Sequence, residues 1–271
     1  ITGQAVDMAD AEPHIDRAEE LREKWQTATG QLWRIGEHRL LCGDSTRRED
    51  VERVMQGEKD ILLVTDPPYG VNYGKIVSSR VDLRATGWAD IENDNLDDNA
   101  LFELLYNSFV FSQAPIAIIW YGFRRSPIFW RAIIECNWTI SEQIVWAKNA
   151  LVFGRADYQW QHEQAFYCKR NGAQGVDDRT QTTLWACNKP INSEHPSQKP
   201  IELYMRPISN HTKLSDIVYD PFCGSGPIFL ACQNLGRLGR GIEISPAYCA
   251  VALQRMADAF PGIEIERINE T

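Results

Sequence analysis

The chain has 271 residues, of which 44% are hydrophobic and 24% are charged, as is typical of a globular protein with one large α/β domain or two small ones. No stretch approaches the roughly 20 consecutive apolar residues of a membrane-spanning helix, and the first residues do not resemble a signal peptide. The formal net charge of −9 excludes a surface that is basic throughout, although it leaves room for a local basic face.

The seven cysteines are scattered, several lie inside apolar runs, and none forms a Cys-x-x-Cys pair. Such a set predicts reduced thiols of a cytoplasmic protein and no metal site. The chain begins at Ile1 instead of Met. One interpretation is that it is a piece of a longer protein, with a fused or associated domain upstream of Ile1.

Hydrophobic periodicity and the positions of proline and glycine predict strands that alternate with helices. The predicted helices cover residues 10–25, 49–55, 96–111, 126–136, 201–211, 228–235 and 246–260. The predicted strands cover residues 32–35, 38–42, 61–65, 115–120, 138–146, 162–168, 217–220 and 238–244. Loops are expected over residues 71–95, 148–159 and 171–195. The alternation predicts an α/β fold with a doubly wound, mostly parallel sheet, and the consecutive strands near its middle predict one antiparallel member.

The stretch Asp66-Pro67-Pro68-Tyr69 directly follows the predicted buried strand 61–65. Open α/β sheets bind ligands at the carboxyl ends of their strands, which makes Asp66 a candidate site residue. The prolines fix the backbone and remove two amide donors, so that their carbonyls can face a ligand. An NH2 group could give its hydrogens to Asp66 and to the Pro67 carbonyl while its ring stacks on Tyr69. Taken alone, Pro-Pro-Tyr is also typical of a turn or of a WW-domain ligand.

A second candidate site follows strand 217–220 and comprises Asp220, Pro221, Phe222, Cys223, Gly224, Ser225 and Gly226. Glycines let the backbone approach a ligand, and the next helix start offers free amides. Glu243 ends the next strand about 20 residues later, the spacing at which a carboxylate accepts ribose hydroxyls, although a solvated strand-end acid is the alternative. No lysine follows the glycines as in a phosphate-binding loop, and Asp220 adds negative charge. The pattern therefore favours a cationic nucleoside, and S-adenosylmethionine fits it.

The tetrapeptide at 66–69, the motif His-Pro-Ser-Gln-Lys-Pro at 195–200 and the glycine loop at 220–226 occur in that order. The set resembles the β-class DNA amino-methyltransferases, which form N6-methyladenine or N4-methylcytosine, as in restriction–modification systems. In that family the tetrapeptide precedes the cofactor loop, a circular permutation of the commoner order. The resemblance covers about residues 30–260. It implies a cytoplasmic enzyme of a bacterium, an archaeon or a phage.

The resemblance implies a Rossmann-like, circularly permuted sheet of seven strands, with strand 217–220 at its centre and strand 61–65 beside it. Asp44 falls where the family contacts the cofactor adenine. Ser197 and Lys199 would line the methionine side of the cofactor. His162-Glu163 resembles a further family element near the target base. Pro227 stands where the family often has threonine, which removes one hydroxyl contact.

The predicted chemistry addresses an exocyclic amine, which is a poor nucleophile because its lone pair is delocalised into the ring. Hydrogen bonds to Asp66 and to the Pro67 carbonyl would pull the nitrogen towards tetrahedral geometry, and positioning and electrostatics then suffice. In the family an Asp at this position mostly goes with adenine, so N6-methyladenine is the favoured product and N4-methylcytosine the alternative. Methylation of RNA or of protein glutamine is a less favoured alternative. The enzymes that catalyse it usually carry Asn-Pro-Pro-Tyr after the glycine loop, and the order in this chain is the reverse. A non-catalytic binding module with the same fold is the remaining alternative.

A target base inside a duplex must flip out to be reached, and a chain with a net charge of −9 must hold DNA through a local basic face. The candidate residues, in two stretches that the family arrangement places beside the target pocket, are Lys75, Arg80, Arg84, Lys169, Arg170, Arg179 and Lys189. The predicted target-recognition segment, 171–194, is short. We therefore expect a short recognition sequence, or added contacts from a second subunit of a homodimer or from a fused domain.

The predicted domain organisation has three parts. Residues 1–29 form an acidic, helical N-terminal extension, residues 30–262 form the methyltransferase catalytic domain, and residues 263–271 form a C-terminal tail.

Overall fold

The computed structural model describes residues 9–70, 96–152, 157–187 and 199–268. The α-helices of these residues are α1 (Ala18–Trp25), α2 (Arg48–Met55), α3 (Asp98–Phe109), α4 (Ser126–Glu135), α5 (Glu202–His211), α6 (Pro227–Leu235) and α7 (Pro246–Ala259). The strands are β1 (Leu32–Ile35), β2 (His38–Cys42), β3 (Leu62–Thr65), β4 (Ile116–Tyr121), β5 (Thr139–Val152), β6 (Trp160–Lys169), β7 (Leu184–Ala186), β8 (Ile217–Asp220), β9 (Leu238–Glu243) and β10 (Ile265–Ile268).

The described strands form one 10-stranded sheet in the order β10-β1-β2-β9-β8-β3-β4-β6-β5-β7. The five strands from β2 to β4 in this order are parallel, whereas β6 is antiparallel to both of its neighbours. The predicted α/β fold with a mostly parallel sheet is confirmed. The expected strand 217–220 is β8, which lies near the middle of the sheet and pairs with the predicted neighbour β3. The stretch from β2 to β5 accounts for seven strands, and the other three lie at the edges.

Helices cover both faces of the sheet, and the central strands are therefore buried on both sides. In β4, Ile116, Ile118 and Trp120 point into a core shared with α5, α6 and α7. The alternate residues Ala117 and Ile119 point into a second core, shared with α2, α3 and α4. This alternation is the pleat of a strand buried on two faces, so the sheet is doubly wound as predicted.

The structure has strands that the sequence pattern does not predict. Strand β5 runs to Val152 and so enters the expected loop 148–159, and β6 begins at Trp160, two residues before the predicted strand 162–168. The short strands β7 and β10 also have no clear periodic pattern, since β10 contains two charged residues among four. These segments are strands because they pair with β5 and β1, and such pairing depends on the partner rather than on local sequence.

Both ends of the described chain pack on the main body. Helix α1 lies against α7, where Leu21 contacts Ala250 and Val251. Residues 265–268, within the stretch predicted to be a tail, form β10 and pair with β1 in antiparallel register.

No helix among the described residues is both long and apolar enough to cross a membrane. In the same residues, no group of three or more His, Cys, Asp or Glu side chains is placed to hold a metal ion. All seven cysteines are free thiols.

Candidate active site

Four acidic residues lie along one edge of the sheet. Asp44 follows β2, Glu243 ends β9, Asp220 ends β8 and Asp66 follows β3, and these strands are adjacent and parallel. The carboxyl ends of parallel strands meet at the same edge, which is where open α/β sheets bind ligands. The fold therefore brings the predicted catalytic tetrapeptide and the predicted cofactor residues to a common edge.

The carboxylate of Asp66 accepts two hydrogen bonds. The Tyr69 hydroxyl donates to Asp66 Oδ1 at 2.7 Å, and the Lys199 ammonium donates to Asp66 Oδ2 at 2.5 Å. Lys199 Nζ also lies 3.2 Å from the Tyr69 hydroxyl oxygen. Lys199, for which the resemblance implies a cofactor contact, is buried against the Asp66 carboxylate.

The ion-pair cluster extends beyond Lys199 to two residues of the β5–β6 hairpin. Lys199 Nζ lies 3.0 Å from Glu163 Oε2, and Glu163 Oε1 accepts from Lys148 Nζ at 2.5 Å. Burial raises the pKa of Glu163, but the positive charges of Lys199 and Lys148 outweigh it and lower that pKa to about 2. Burial also opposes the charge of Lys199, yet Asp66 and Glu163 raise its pKa above the ordinary value. Glu163 and Lys199 are therefore both charged near neutral pH.

The side chain of Tyr69 packs against Phe129 and Gly122, which belong to other parts of the chain. It packs edge-on against Phe129, with ring centroids 6.2 Å apart and planes at 74°. A Cβ atom at Gly122 would come within 3.2 Å of Tyr69 side-chain atoms, so this position favours a glycine. Pro67 is buried and Pro68 is partly exposed. The turn thus keeps the aromatic ring beside the Asp66 carboxylate.

Asp220 is fully buried, and one of its oxygens is unsatisfied. Oδ1 accepts from the Thr65 hydroxyl at 2.6 Å and from the Phe222 amide at 3.0 Å. Oδ2 has no hydrogen-bond partner among the described residues. Burial raises the pKa of Asp220 to about 7. A buried acceptor without a donor is costly, and a donor or cation supplied by a ligand would remove that cost.

The glycine turn after Asp220 is tied to the end of β9. The Gly224 amide donates to Glu243 Oε2 at 2.9 Å, and the Ser245 amide donates to Oε1 of the same carboxylate at 2.9 Å. Gly226 directly precedes α6 and has a φ of +76°. A Cβ atom at this position would lie 2.9 Å from Ala252 Cβ. Only glycine accommodates this φ together with this close packing of the turn on α7.

The remaining predicted cofactor residues have different surroundings. Cys223 is buried in the core and its amide donates to the Ile242 carbonyl at 3.0 Å. Ser225 Oγ accepts from the buried Arg255 at 3.3 Å. Asp44 Oδ1 accepts from the Thr46 amide and hydroxyl at 2.9 and 2.7 Å. Pro221 is buried and Phe222 is partly buried. Ser197 lies outside the described residues.

Of the predicted DNA-contacting residues that the structure describes, Lys169 and Arg170 do not lie beside Asp66. Lys169 pairs with Ile116, the first residue of β4. Lys169 and Arg170 therefore lie at the amino-terminal ends of the parallel strands, whereas Asp66 lies at their carboxyl ends. The guanidinium of Arg170 stacks 4.3 Å from the ring centroid of Trp138 and is partly buried. Arg179 is exposed in the segment before β7. The other predicted positions, Lys75, Arg80, Arg84 and Lys189, lie outside the described residues.

Sequence reasoning missed several side chains that support the site. Thr65, the last residue of β3, fixes Asp220, and its hydroxyl in an otherwise apolar strand was the available signal. Glu163 belongs to the pair for which the resemblance implies a place near the target base, and no sequence pattern singles out Lys148. Arg255 donates to Asp10 Oδ1 and to the Ala11 carbonyl as well as to Ser225. No local pattern indicates which partners a side chain of α7 will contact.

Comparison with known proteins identifies the family. A family model described as DNA methylase, for N6 and N4 methyltransferases, matches residues 61–254. The type II methyltransferase M.HpaI of Haemophilus parainfluenzae is 36% identical over 107 residues, which cover 37% of this chain and 33% of that protein. The chain spans about half or less of the length of the first curated relatives that it matches.

Solved structures show the same fold. The complex of M1.HpyAVI with S-adenosylmethionine has a TM-score of 0.57 and 24% identity, and it covers 80% of this chain and 98% of that one. The cytosine-N4-specific PvuII DNA methyltransferase has a TM-score of 0.61 and 14% identity, and it covers 83% of this chain and 92% of that one. The family resemblance expected from the three motifs is confirmed. The family-model match extends over most of the chain and includes both the tetrapeptide and the glycine turn, and the chain therefore belongs to the N6/N4 DNA methylase family.

Proposed function

We propose that this chain transfers a methyl group from S-adenosylmethionine to the exocyclic N6 amine of an adenine flipped out of DNA. The observation that carries the proposal is the position of the Asp66 carboxylate, which lies on the same sheet edge as the buried, half-satisfied carboxylate of Asp220. The first carboxylate suits an NH2 group and the second suits a cationic ligand.

Asp66 has the capacity to accept the target amine. An ionised carboxylate offers about four lone-pair positions, and Tyr69 and Lys199 use one on each oxygen. The remaining positions accept one amine hydrogen, and the Pro67 carbonyl accepts the other. These two hydrogen bonds pull the nitrogen towards tetrahedral geometry, so that its lone pair is less delocalised into the ring. Asp66 or water then takes the surplus proton from the methylated nitrogen.

The residues of the glycine turn fit S-adenosylmethionine, which is bound in the M1.HpyAVI complex of the same fold. When bound, this cofactor supplies a methyl group activated by a positive sulfur. Asp220 Oδ2 is a buried acceptor without a donor from the described residues, which suits a positively charged ligand. Gly224 offers space, since no atom of the described part of the chain lies within 4 Å of where its Cβ would be. Glu243 ends β9 and Asp44 follows the adjacent strand β2, and there we place the ribose and adenine contacts.

Flipping the base out of the duplex costs about a few kcal/mol. Stacking on an aromatic ring returns on the order of 1–3 kcal/mol per base, and Tyr69 is the aromatic ring of this site. The hydroxyl bond to Asp66 and the edge contact with Phe129 fix the ring in advance. A ring that is already ordered loses little side-chain entropy when the base arrives.

N4-cytosine is the second candidate for the target amine. The exocyclic amine of cytosine also has two N–H donors, and the cytosine-N4-specific PvuII enzyme shares the fold. The Asp at position 66 favours adenine, following the family tendency. The division into an N-terminal extension, a catalytic domain over 30–262 and a tail, and DNA contacts from a second subunit or a fused domain, stay predictions.

The test is methylation of mixed-sequence DNA with labelled S-adenosylmethionine, followed by nucleoside analysis and mapping of the modified sites. We expect label in N6-methyladenine within a short sequence. Label only in N4-methylcytosine would replace adenine by cytosine as the target. Label only in RNA or protein, or cofactor binding without turnover, would contradict the proposal.

A further inference from the structure

The buried cluster at the catalytic edge contains a charge that the proposed chemistry does not use. Glu163 does not touch Asp66, yet both carboxylates bind the same ammonium of Lys199. We propose that Glu163 is a positioning residue for methyl transfer, acting through Lys199 on the Asp66 carboxylate, with Lys148 as the outer counter-ion. This inference rests on the proposed function, in which Asp66 receives the target amine.

Glu163 is anchored more firmly than Asp66. Glu163 belongs to β6, which pairs on one side with β4 and on the other with β5. Asp66 lies outside the sheet, in the turn after β3. The sheet therefore fixes one end of the cluster, and the ammonium of Lys199 transmits that position to the other end.

The two hydrogen bonds to Asp66 differ in what they restrain. Tyr69 belongs to the same turn, three residues away, so it moves with Asp66. Lys199 comes from a segment 133 residues further along the chain. Of the two, only the contact with Lys199 ties the carboxylate to a distant part of the fold. Lys199 in turn is oriented by Glu163.

The donor count supports a defined position for Lys199. An ammonium has three N–H donors. Its nitrogen lies 2.5 Å from Asp66, 3.0 Å from Glu163 and 3.2 Å from the Tyr69 oxygen, which gives one acceptor for each donor. Loss of the Glu163 charge would leave Lys199 with fewer strong acceptors, and the ammonium could then shift along Asp66 and compete with the target amine.

The charges of the cluster alternate and cancel. Lys148, Glu163, Lys199 and Asp66 carry two positive and two negative charges in that spatial order. Without Glu163, the full charge of Lys199 would act on Asp66 alone and weaken it as an acceptor for a neutral amine. A carboxylate at 163 shares the ammonium, and this leaves Asp66 a stronger acceptor.

The decisive variant is Glu163→Gln, which keeps the shape of the side chain and removes its charge. We expect kcat at saturating DNA and cofactor to fall about 10- to 100-fold, the range expected when a reacting group is misplaced or its electrostatic support is lost. The dissociation constant of the cofactor should stay within about twofold, because Asp220, Gly224 and Glu243 of the glycine turn and β9 lie on other elements than Glu163. Glu142→Gln, the same substitution at an exposed position of β5, is the matched control and should leave kcat unchanged.

A double-mutant cycle separates positioning from general loss of stability. If Glu163 acts through Lys199, adding Glu163→Gln to Lys199→Met should lower kcat no further than Lys199→Met alone. Thermal unfolding of each variant gives the folded fraction, to which kcat is normalised. A purely structural ion pair would lower the melting temperature and leave the normalised kcat intact.

The proposal is overturned if normalised kcat of Glu163→Gln equals that of the wild type, or if the two substitutions act independently. If Glu163→Gln does not fold, Lys148→Met removes only the outer charge. It should then change kcat about threefold with unchanged cofactor affinity, and an unchanged kcat would overturn the proposal. A wild-type chain without methyltransferase activity would contradict the proposed function itself, whereas an active wild type with an indifferent Glu163→Gln contradicts only this inference.

Discussion

Asp66 and Asp220 follow adjacent parallel strands, but their surroundings give them different properties. Asp66 is partly exposed and bound to an ammonium, so its charge is compensated. Asp220 is fully buried, and its neighbours Asp66 and Glu243 add to the cost of a negative charge there. The first suits a neutral amine that comes and goes, and the second suits a cation that stays bound during the reaction.

Asp66→Ala separates the two sites. We expect kcat to fall at least about 10³-fold, because the target amine loses its charged acceptor. Cofactor affinity should stay nearly intact, while Asp220→Ala or Gly224→Val should weaken it. The measurements are single-turnover methylation and equilibrium binding of S-adenosylmethionine. Equal losses of cofactor affinity in Asp66→Ala and Asp220→Ala would contradict this division of roles.

Asp220 should make stability depend on pH. Burial raises its pKa in the folded state to about 7 from an ordinary value of 3.8. The folded state therefore holds the proton more tightly than the unfolded state, and stability from this group is lost as pH rises from about 4 through 7. Asp220→Asn keeps an oxygen for Thr65 and removes the charge, so we expect it to stabilise the ligand-free protein by about 1–3 kcal/mol at pH 8 and little at pH 4.

Urea unfolding at the two pH values checks this prediction, with S-adenosylmethionine binding measured in parallel. The same variant should bind the cofactor more weakly, because the proposed partner of its positive charge is gone. A stability difference that does not change between the two pH values would show that Asp220 does not titrate in this range.

At the scale of elements, α1 is part of the packed structure and not a solvated appendage. Leu21 is 3% exposed and contacts α7, while Arg255 of α7 binds Asp10 and Ala11 ahead of α1. Arg255 also reaches Ser225 in the glycine turn. The segment before β1 therefore supports the helix on which the predicted cofactor turn packs.

Leu21→Ala tests this packing. We expect the free energy of unfolding to fall by about 2–4 kcal/mol, the usual cost of a cavity left by a buried leucine. Glu19→Ala, on the exposed side of the same helix, should change it by less than about 0.5 kcal/mol. Chemical denaturation of the two variants gives the comparison. Equal effects would mean that α1 is not docked on α7 in solution.

At the scale of the whole molecule, the net charge of −9 opposes binding to a polyanion. Lys169 and Arg170 lie at the edge of the sheet opposite Asp66, and Arg170 is stacked on Trp138. The predicted basic face therefore depends on Lys75, Arg80, Arg84, Arg179 and Lys189. Few phosphate contacts imply a shallow dependence of affinity on salt for one subunit.

We expect the double variant Arg80→Ala with Arg84→Ala to weaken DNA binding and to reduce the slope of log affinity against log salt by about 0.9 per lost phosphate contact. Lys169→Ala is the control and should leave both unchanged, because of its position at the far edge. The test is to measure DNA affinity at several salt concentrations, with cofactor binding as a check that each variant is folded. An unchanged slope in the double variant would place the DNA face elsewhere.

The sequence by itself determined most of the helices and strands and pointed to the two candidate sites. Apolar runs such as 61–65 and 217–220, each followed by turn residues, predict strands that end in Asp66 and Asp220, and the structure contains both as adjacent parallel strands. These patterns are local, because hydrophobic periodicity and proline or glycine punctuation act within a few residues. The order of the motifs along the chain was enough to indicate the family.

Only the tertiary structure decided which side chains meet. Lys199 and Asp66 are 133 residues apart, and no local pattern indicates that this lysine binds the carboxylate of Asp66. The same holds for β10, which is a strand only because β1 offers it an edge, and for Lys169, which the antiparallel direction of β6 carries away from the site. The physical reason is that strand register and buried ion pairs depend on contacts between distant segments, and those contacts form only when the whole core packs.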